Sequence, residues 1–96
     1  MREGSNNAIE DMHTQVDWMR PSDRPILMEI ANYGGWIKPA SLSFNLPYTR
    51  KHIADRTREM AEHGLLDRHK NAAAYRVTEL GRDFLANGLD PEQLRD

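Results

Sequence analysis

Lys51, Asp55, Arg58 and Glu62 recur at spacings of four, three and four residues. At about 100° per residue, that spacing puts them on one face of a helix. The opposite face carries Ile53, Thr57 and Met60, a stripe suited to burial, with Ala61 beside it. A face whose start is Arg50 and Lys51 has the chemistry to read a polyanion with hydrogen-bonding edges. Arginine and lysine donate to guanine O6 and N7, and a carboxylate such as Asp55 accepts from a cytosine amino group. The hydroxyls of Tyr48 and Thr49, at the helix start, suit phosphate oxygens. The candidates for contact with double-stranded DNA are therefore Tyr48, Thr49, Arg50, Lys51, Ala54, Asp55 and Arg58. Arg56 lies beside the buried stripe and reads as a structural edge residue, and Glu62 reads as a solvated anion. The spacing also has a plainer use, since Lys51 and Asp55 suit a weak i,i+4 ion pair.

A second polar cluster follows. Leu65 to His69 and Ala74 to Val77 read as two strands, joined by Lys70-Asn71-Ala72-Ala73. Asn71 suits a turn position with positive φ. Arg68, His69, Lys70 and Asn71 gather at the tip. Arg76, on the second strand, either serves the same surface or pairs with Asp67 across the hairpin.

Charge is distributed to match. The 96-residue chain has a net charge of −2. Yet residues 36–78 hold eight basic side chains (Lys38, Arg50, Lys51, Arg56, Arg58, Arg68, Lys70, Arg76) against four acidic ones (Asp55, Glu59, Glu62, Asp67). The flanking segments are acidic, and the local potential governs a charged partner more than the total does.

These clusters need elements to hold them. Residues 1–7 are polar and read as a disordered lead-in without the apolar stretch of a signal peptide. Ile9, Met12, Val16 and Met19, spaced by three, four and three, form the stripe of an amphipathic helix over residues 8–20, which Pro21 ends. That stripe covers the domain's own core or pairs with its copy in a two-fold dimer. Ser22 offers an N-cap oxygen to a second helix, with Pro25 in its first turn and Ile26, Leu27, Ile30 and Ala31 inward, stopped by Gly34-Gly35. Trp36-Ile37-Lys38 suits a third strand beside the hairpin. Pro39 opens a helix over Ala40 to Asn45, with Leu42 and Phe44 inward, and Leu46-Pro47 makes the turn into the long helix Tyr48 to His63. Gly64 is its C′ residue. Thr78 caps a further helix with Leu80, Phe84 and Leu85 inward. Asn87-Gly88 close it, and Asp90-Pro91-Glu92-Gln93 open a last turn in the tail, residues 89–96.

Asp17-Trp18-Met19, then Asp23-Arg24-Pro25-Ile26-Leu27, the helix Tyr48 to Met60, His63-Gly64-Leu65-Leu66 and Tyr75-Arg76-Val77-Thr78-Glu79-Leu80-Gly81 follow one another in order. Over residues 16–88 this pattern resembles winged-helix transcriptional regulators of the MarR-like type, and among them the phi-H repressor-like proteins of haloarchaea and their phages. The resemblance implies a mainly α fold with a small β-hairpin wing, a winged helix-turn-helix over residues 21–88. It implies that Arg68, His69, Lys70, Asn71 and Arg76 act as a wing against the sugar-phosphate backbone or in the minor groove. It further implies an archaeal or phage DNA-binding regulator, a repressor rather than an activator, working as a homodimer through Ile9, Met12, Val16 and Met19. A winged-helix module that binds protein instead of DNA is the rival reading.

Other chemistries lack residues to carry them. The chain has no cysteine, which removes disulfides and thiolate metal sites. His13, His52, His63 and His69 form no close ligand spacing, so they read as surface histidines without a metal. No nucleophile elbow, phosphate-cradling glycine loop or dinucleotide fingerprint appears, and neither an enzyme nor a cofactor is expected. No apolar run approaches the roughly 20 residues that span a bilayer. A soluble cytoplasmic protein is the default expectation. No sensor domain is present to name a small-molecule effector.

Overall fold

A computed structural model describes residues 18–87. Ile9, Met12 and Val16 of the predicted first helix lie outside these residues, as do the lead-in and the tail. Trp18, Met19 and Arg20, at the predicted end of that helix, are not helical. Met19 instead packs, half-buried, against the domain's own core. Four helices and a hairpin follow among the described residues: α1 (Asp23–Tyr33), α2 (Pro39–Leu42), α3 (Arg50–Glu62), β1 (Leu66–Arg68), β2 (Tyr75–Val77) and α4 (Glu79–Asn87).

The predicted stripes meet in one core. Ile26, Leu27 and Ile30 of α1, Leu42 of α2, Ile53 and Met60 of α3, Leu65, Leu66, Tyr75, Val77 and Phe84 form a single buried cluster. Thr57, polar yet fully buried in α3, satisfies its hydroxyl by donating to the Ala54 carbonyl at 2.9 Å. Gly34 ends α1 with φ at 84°, its amide bonded to the Ile30 carbonyl at 3.2 Å, and Gly64 takes φ of 85° after α3. Both conformations are costly for any residue with a Cβ.

Strands β1 and β2 pair antiparallel with Leu66 opposite Val77, Asp67 opposite Arg76 and Arg68 opposite Tyr75. The predicted third strand is reduced to one rung. Ile37 and Tyr75 exchange two backbone hydrogen bonds of 2.9 Å, and pairing stops there.

Three side-chain expectations fail. Ser22 occupies the N-cap position of α1 but its hydroxyl does not cap; Ser22 Oγ lies 2.7 Å from His52 Nε2 on α3. Phe44 is not inward. Helix α2 stops at Leu42, residues 43–45 turn, and the phenyl ring stands 87% exposed. Leu80 is also outward, while Gly81 is buried and Phe84 packs. A Cβ at Gly81 would collide with the Leu65 carbonyl oxygen and the Val77 side chain. The bare glycine therefore sets the rotation of α4, which turns Leu80 away. Thr78 caps α4 as expected, accepting from the Gly81 amide at 3.0 Å.

One polar contact crosses the core. Asp23, 0% exposed, receives Arg56 Nε on Oδ1 at 2.8 Å and Arg56 Nη2 on Oδ2 at 2.9 Å. The same guanidinium donates to the Trp18 carbonyl at 2.8 Å, and the Arg20 amide donates to Asp23 at 2.9 Å. The hydrogen bond that Arg56 donates to Asp23 raises the Arg56 pKa above its ordinary value, against the opposing effect of burial. Removing one member strands the other charge, which costs about 3–5 kcal/mol. Asp23→Ala and Arg56→Ala should each lose about that much in urea denaturation. Asp23→Leu with Arg56→Met should lose markedly less than either, because no charge is left buried.

Candidate nucleic-acid interface

Helix α3 presents two different faces because its inner side is pinned. Ile53, Thr57 and Met60 are fully buried, and Arg56 is tied to α1. Lys51, Asp55 and Arg58 consequently point to solvent, their side chains 85%, 44% and 60% exposed. The helix starts at Arg50 rather than Tyr48. Thr49 is the N-cap, its Oγ1 accepting from the His52 amide at 3.1 Å. A hydroxyl that accepts one hydrogen bond still has a proton to donate, so Thr49 keeps the capacity expected of it. Tyr48 is half-buried, with its ring 5.4 Å from that of His52. Arg50 is exposed and Ala54 half-buried on the same helix.

Asp55 sits between two cations. Its carboxylate oxygens lie 3.2 Å from Lys51 Nζ and 3.5 Å from Arg58 Nη2. The Lys51 hydrogen bond, with the charges of Lys51 and Arg58, holds the Asp55 pKa below the usual carboxylate value. So the ion pair foreseen from the spacing is present and extends to a third member. Exposed pairs of this kind are weak and exchange readily. The trio keeps one net positive charge, and it can re-form around an incoming anion at little cost.

The hairpin brings Arg68, His69, Lys70 and Asn71 to one tip. Arg68, Lys70 and Asn71 are exposed, and the Asn71 amide donates to His69 Nδ1 at 3.0 Å. A neutral His69 ring therefore carries its proton on Nε2. Arg76 is set apart from the tip and is more engaged. Its Nε lies 3.4 Å from Asp67 across the strands, and its guanidinium stacks 4.4 Å from the centroid of the Trp36 ring. Trp36 in turn meets the His69 ring edge-on at 4.9 Å. Trp36 thus braces the wing, a role sequence reading did not assign. The available signal was its place in the short extended run beside the hairpin.

His13 lies outside the described residues, and the other three histidines are spent on packing. His52 pairs with Ser22, and His63 lies flat on Trp18 at 3.9 Å. Among the described residues no group of three His, Asp or Glu side chains could hold a metal ion, and no helix is long and apolar enough to cross a membrane.

A helical core, a short α2, an outward α3 and a braced two-stranded wing define a winged helix-turn-helix. The chain belongs to the winged helix-turn-helix phage repressor family, whose pattern it matches over residues 12–96. It is 30% identical over 86 residues to the "Repressor protein" of Halobacterium phage phiH, a match covering 86% of this chain and 97% of that protein. The crystal structure of the PhiH1 repressor-like protein from Haloarcula marismortui superimposes with a TM-score of 0.68 at 27% identity, covering 78% of this chain and 85% of that one.

The brace can be tested directly. Trp36→Ala should lower stability by about 1 kcal/mol, the worth of an exposed cation–π contact with its edge partner. It should also move the His69 ring resonances in NMR spectra while those of His63 stay in place.

Proposed function

We propose that this protein is a sequence-specific, double-stranded-DNA-binding transcriptional repressor that acts as a homodimer in the cytoplasm. The observation that carries the reading is the pinned inner face of α3. With Arg56 locked to Asp23, the Lys51, Asp55 and Arg58 face projects outward, and the hairpin tip exposes Arg68, Lys70 and Asn71. A major groove about 12 Å wide admits such a helix. In this reading Arg50 and Lys51 reach base edges, and Asp55 leaves its cations to accept from a cytosine amino group. Tyr48, Thr49 and Arg58 hold phosphates, with Ala54 against bases in the groove. Arg68, His69, Lys70 and Asn71 steady the register along the backbone, while Arg76 braces the hairpin that carries them and adds positive charge. Membership of a phage repressor family and the likeness to the phiH protein support repression over activation. One helix and one wing read a half-site, so two copies are needed for a full operator. Ile9, Met12 and Val16 are the proposed dimer stripe. Met19 contributes less, because it packs on its own core.

Two measurements test this. In titrations of labelled duplex across a salt series, Lys51→Ala and Arg58→Ala should weaken binding without unfolding the protein. For every phosphate left without its cation, the slope of log affinity against log salt should flatten by about 0.9. Wild-type protein with no salt-sensitive binding would refute the proposal. Selection from a random duplex library should return a palindrome with half-site centres about 10 base pairs apart; a single asymmetric site would reject the homodimer.

A further inference from the structure

A cleft of about 550 Å³ lies between the turn that precedes α1 and the turn that leads into α3. One wall comes from Arg20, Pro21 and Ser22, the other from Pro47, Tyr48 and His52. These two segments are far apart in sequence, and the Ser22–His52 hydrogen bond of 2.7 Å joins them at the floor. Ser22 is 6% exposed, so the pair is a built feature and not a surface accident. Arg20 and both prolines are exposed at the mouth.

The lining has a definite chemistry. Two pyrrolidine rings and the Tyr48 ring give apolar walls. Arg20, the Tyr48 and Thr49 hydroxyls and the Ser22–His52 pair supply hydrogen-bonding groups, and among the described residues none that lines the cleft is acidic. Asp23, the nearest carboxylate in the sequence, is turned inward and consumed by Arg56 and the Arg20 amide. An apolar wall beside cationic and hydroxyl donors matches a deoxyribose with its phosphate. The cleft is open along its length, whereas small-molecule pockets enclose most of their ligand. That openness suits a continuous strand. Tyr48 and Thr49 run directly into Arg50 and Lys51, so a strand that meets the first turn of α3 passes over this cleft.

We infer that the cleft seats one sugar-phosphate unit of the bound DNA strand, with Arg20 holding the phosphate and the Ser22–His52 pair as its floor. The inference rests on the DNA-binding reading and adds to it a contact from the segment before α1. Because phosphate contacts carry no base information, this contact fixes register and affinity without choosing sequence. His52 is a positioning residue: it ties the α1 turn to α3 and holds the two walls at a fixed separation.

The test uses the full chain and duplexes that carry a single uncharged methylphosphonate at each backbone position in turn. Wild-type protein should lose affinity at each contacted phosphate, and about tenfold at the one per half-site that faces Arg20, the effect of one charge-assisted hydrogen bond. Arg20→Ala removes the contact from both protomers and should bind the unmodified duplex about a hundredfold more weakly, by the same factor on operator and scrambled sequence. It should also be indifferent to the methylphosphonate at that position, and its salt slope should be flatter by about 1.8, for one phosphate in each half-site. The Arg20 contact to Asp23 is made by the main chain, so this variant keeps the buried network and should melt as wild type does. His52→Gln, which can still bond Ser22, should bind closer to wild type than His52→Ala.

If wild type binds, Lys51→Ala weakens it and Arg20→Ala does not, the cleft is no backbone seat and the DNA reading stands. If Arg20→Ala alters sequence preference instead of overall affinity, the inference also fails. Inorganic phosphate or benzoate that shifts His52 resonances, with DNA binding insensitive to Arg20, would mark the cleft as a small-anion pocket and overturn it. Absence of any wild-type DNA binding would remove both readings together.

Discussion

The bidentate contact between Asp23 and Arg56 is the constraint on which the arrangement depends. Burying both charges is expensive, and their attraction offsets that expense only when the geometry is good. Here both carboxylate oxygens and three elements are engaged: α1 through Asp23, α3 through Arg56, and the preceding turn through the Trp18 carbonyl and the Arg20 amide. An apolar contact of the same size would allow α3 to roll about its axis. A planar guanidinium gripping a fixed carboxylate allows much less, because two parallel hydrogen bonds specify direction as well as distance. The orientation of the outward face follows from that grip.

Electrostatics is sorted the same way across the molecule. The strong, shielded pair is inside, where screening is slight. The exposed trio of Lys51, Asp55 and Arg58 is weak and solvated, as are the hairpin pair Asp67 and Arg76. Strength is thus placed where the scaffold must not move, and lability where a polyanion would have to displace existing partners. Trp36 applies the first rule to the wing by stacking under Arg76 and abutting His69.

Sequence periodicity made much of this legible. Ile53, Thr57 and Met60 repeat at helical spacing and all are buried, which fixed the outward face by subtraction. Gly34 and Gly64 read as helix stops because left-handed backbone costs glycine little. Contacts made across long sequence distances were hidden. Arg56 read as a structural residue, but its partner 33 positions away did not show. Ser22 looked like a cap because a hydroxyl beside a helix start suits that role locally; its partner on α3 is 30 residues on. Extending the helical phase beyond Leu42 puts Phe44 inward, but residues 43–45 turn. Leu80 reads as inward because apolar character is easier to see in a sequence than the lack of a side chain at Gly81.

That glycine has a consequence for how the protein tolerates change. Helix α4 docks by laying bare backbone on the Leu65 carbonyl, the start of the hairpin, so a hydrogen atom alone occupies the gap. Divergent copies of the chain can trade nearly every apolar residue of the core for another of similar volume. They have no equivalent freedom at position 81, where the smallest substitution, to alanine, already lifts one helix from the base of the wing. A position outside the proposed DNA-contacting residues would then register as an inactivating lesion, through loosened architecture and not through impaired recognition.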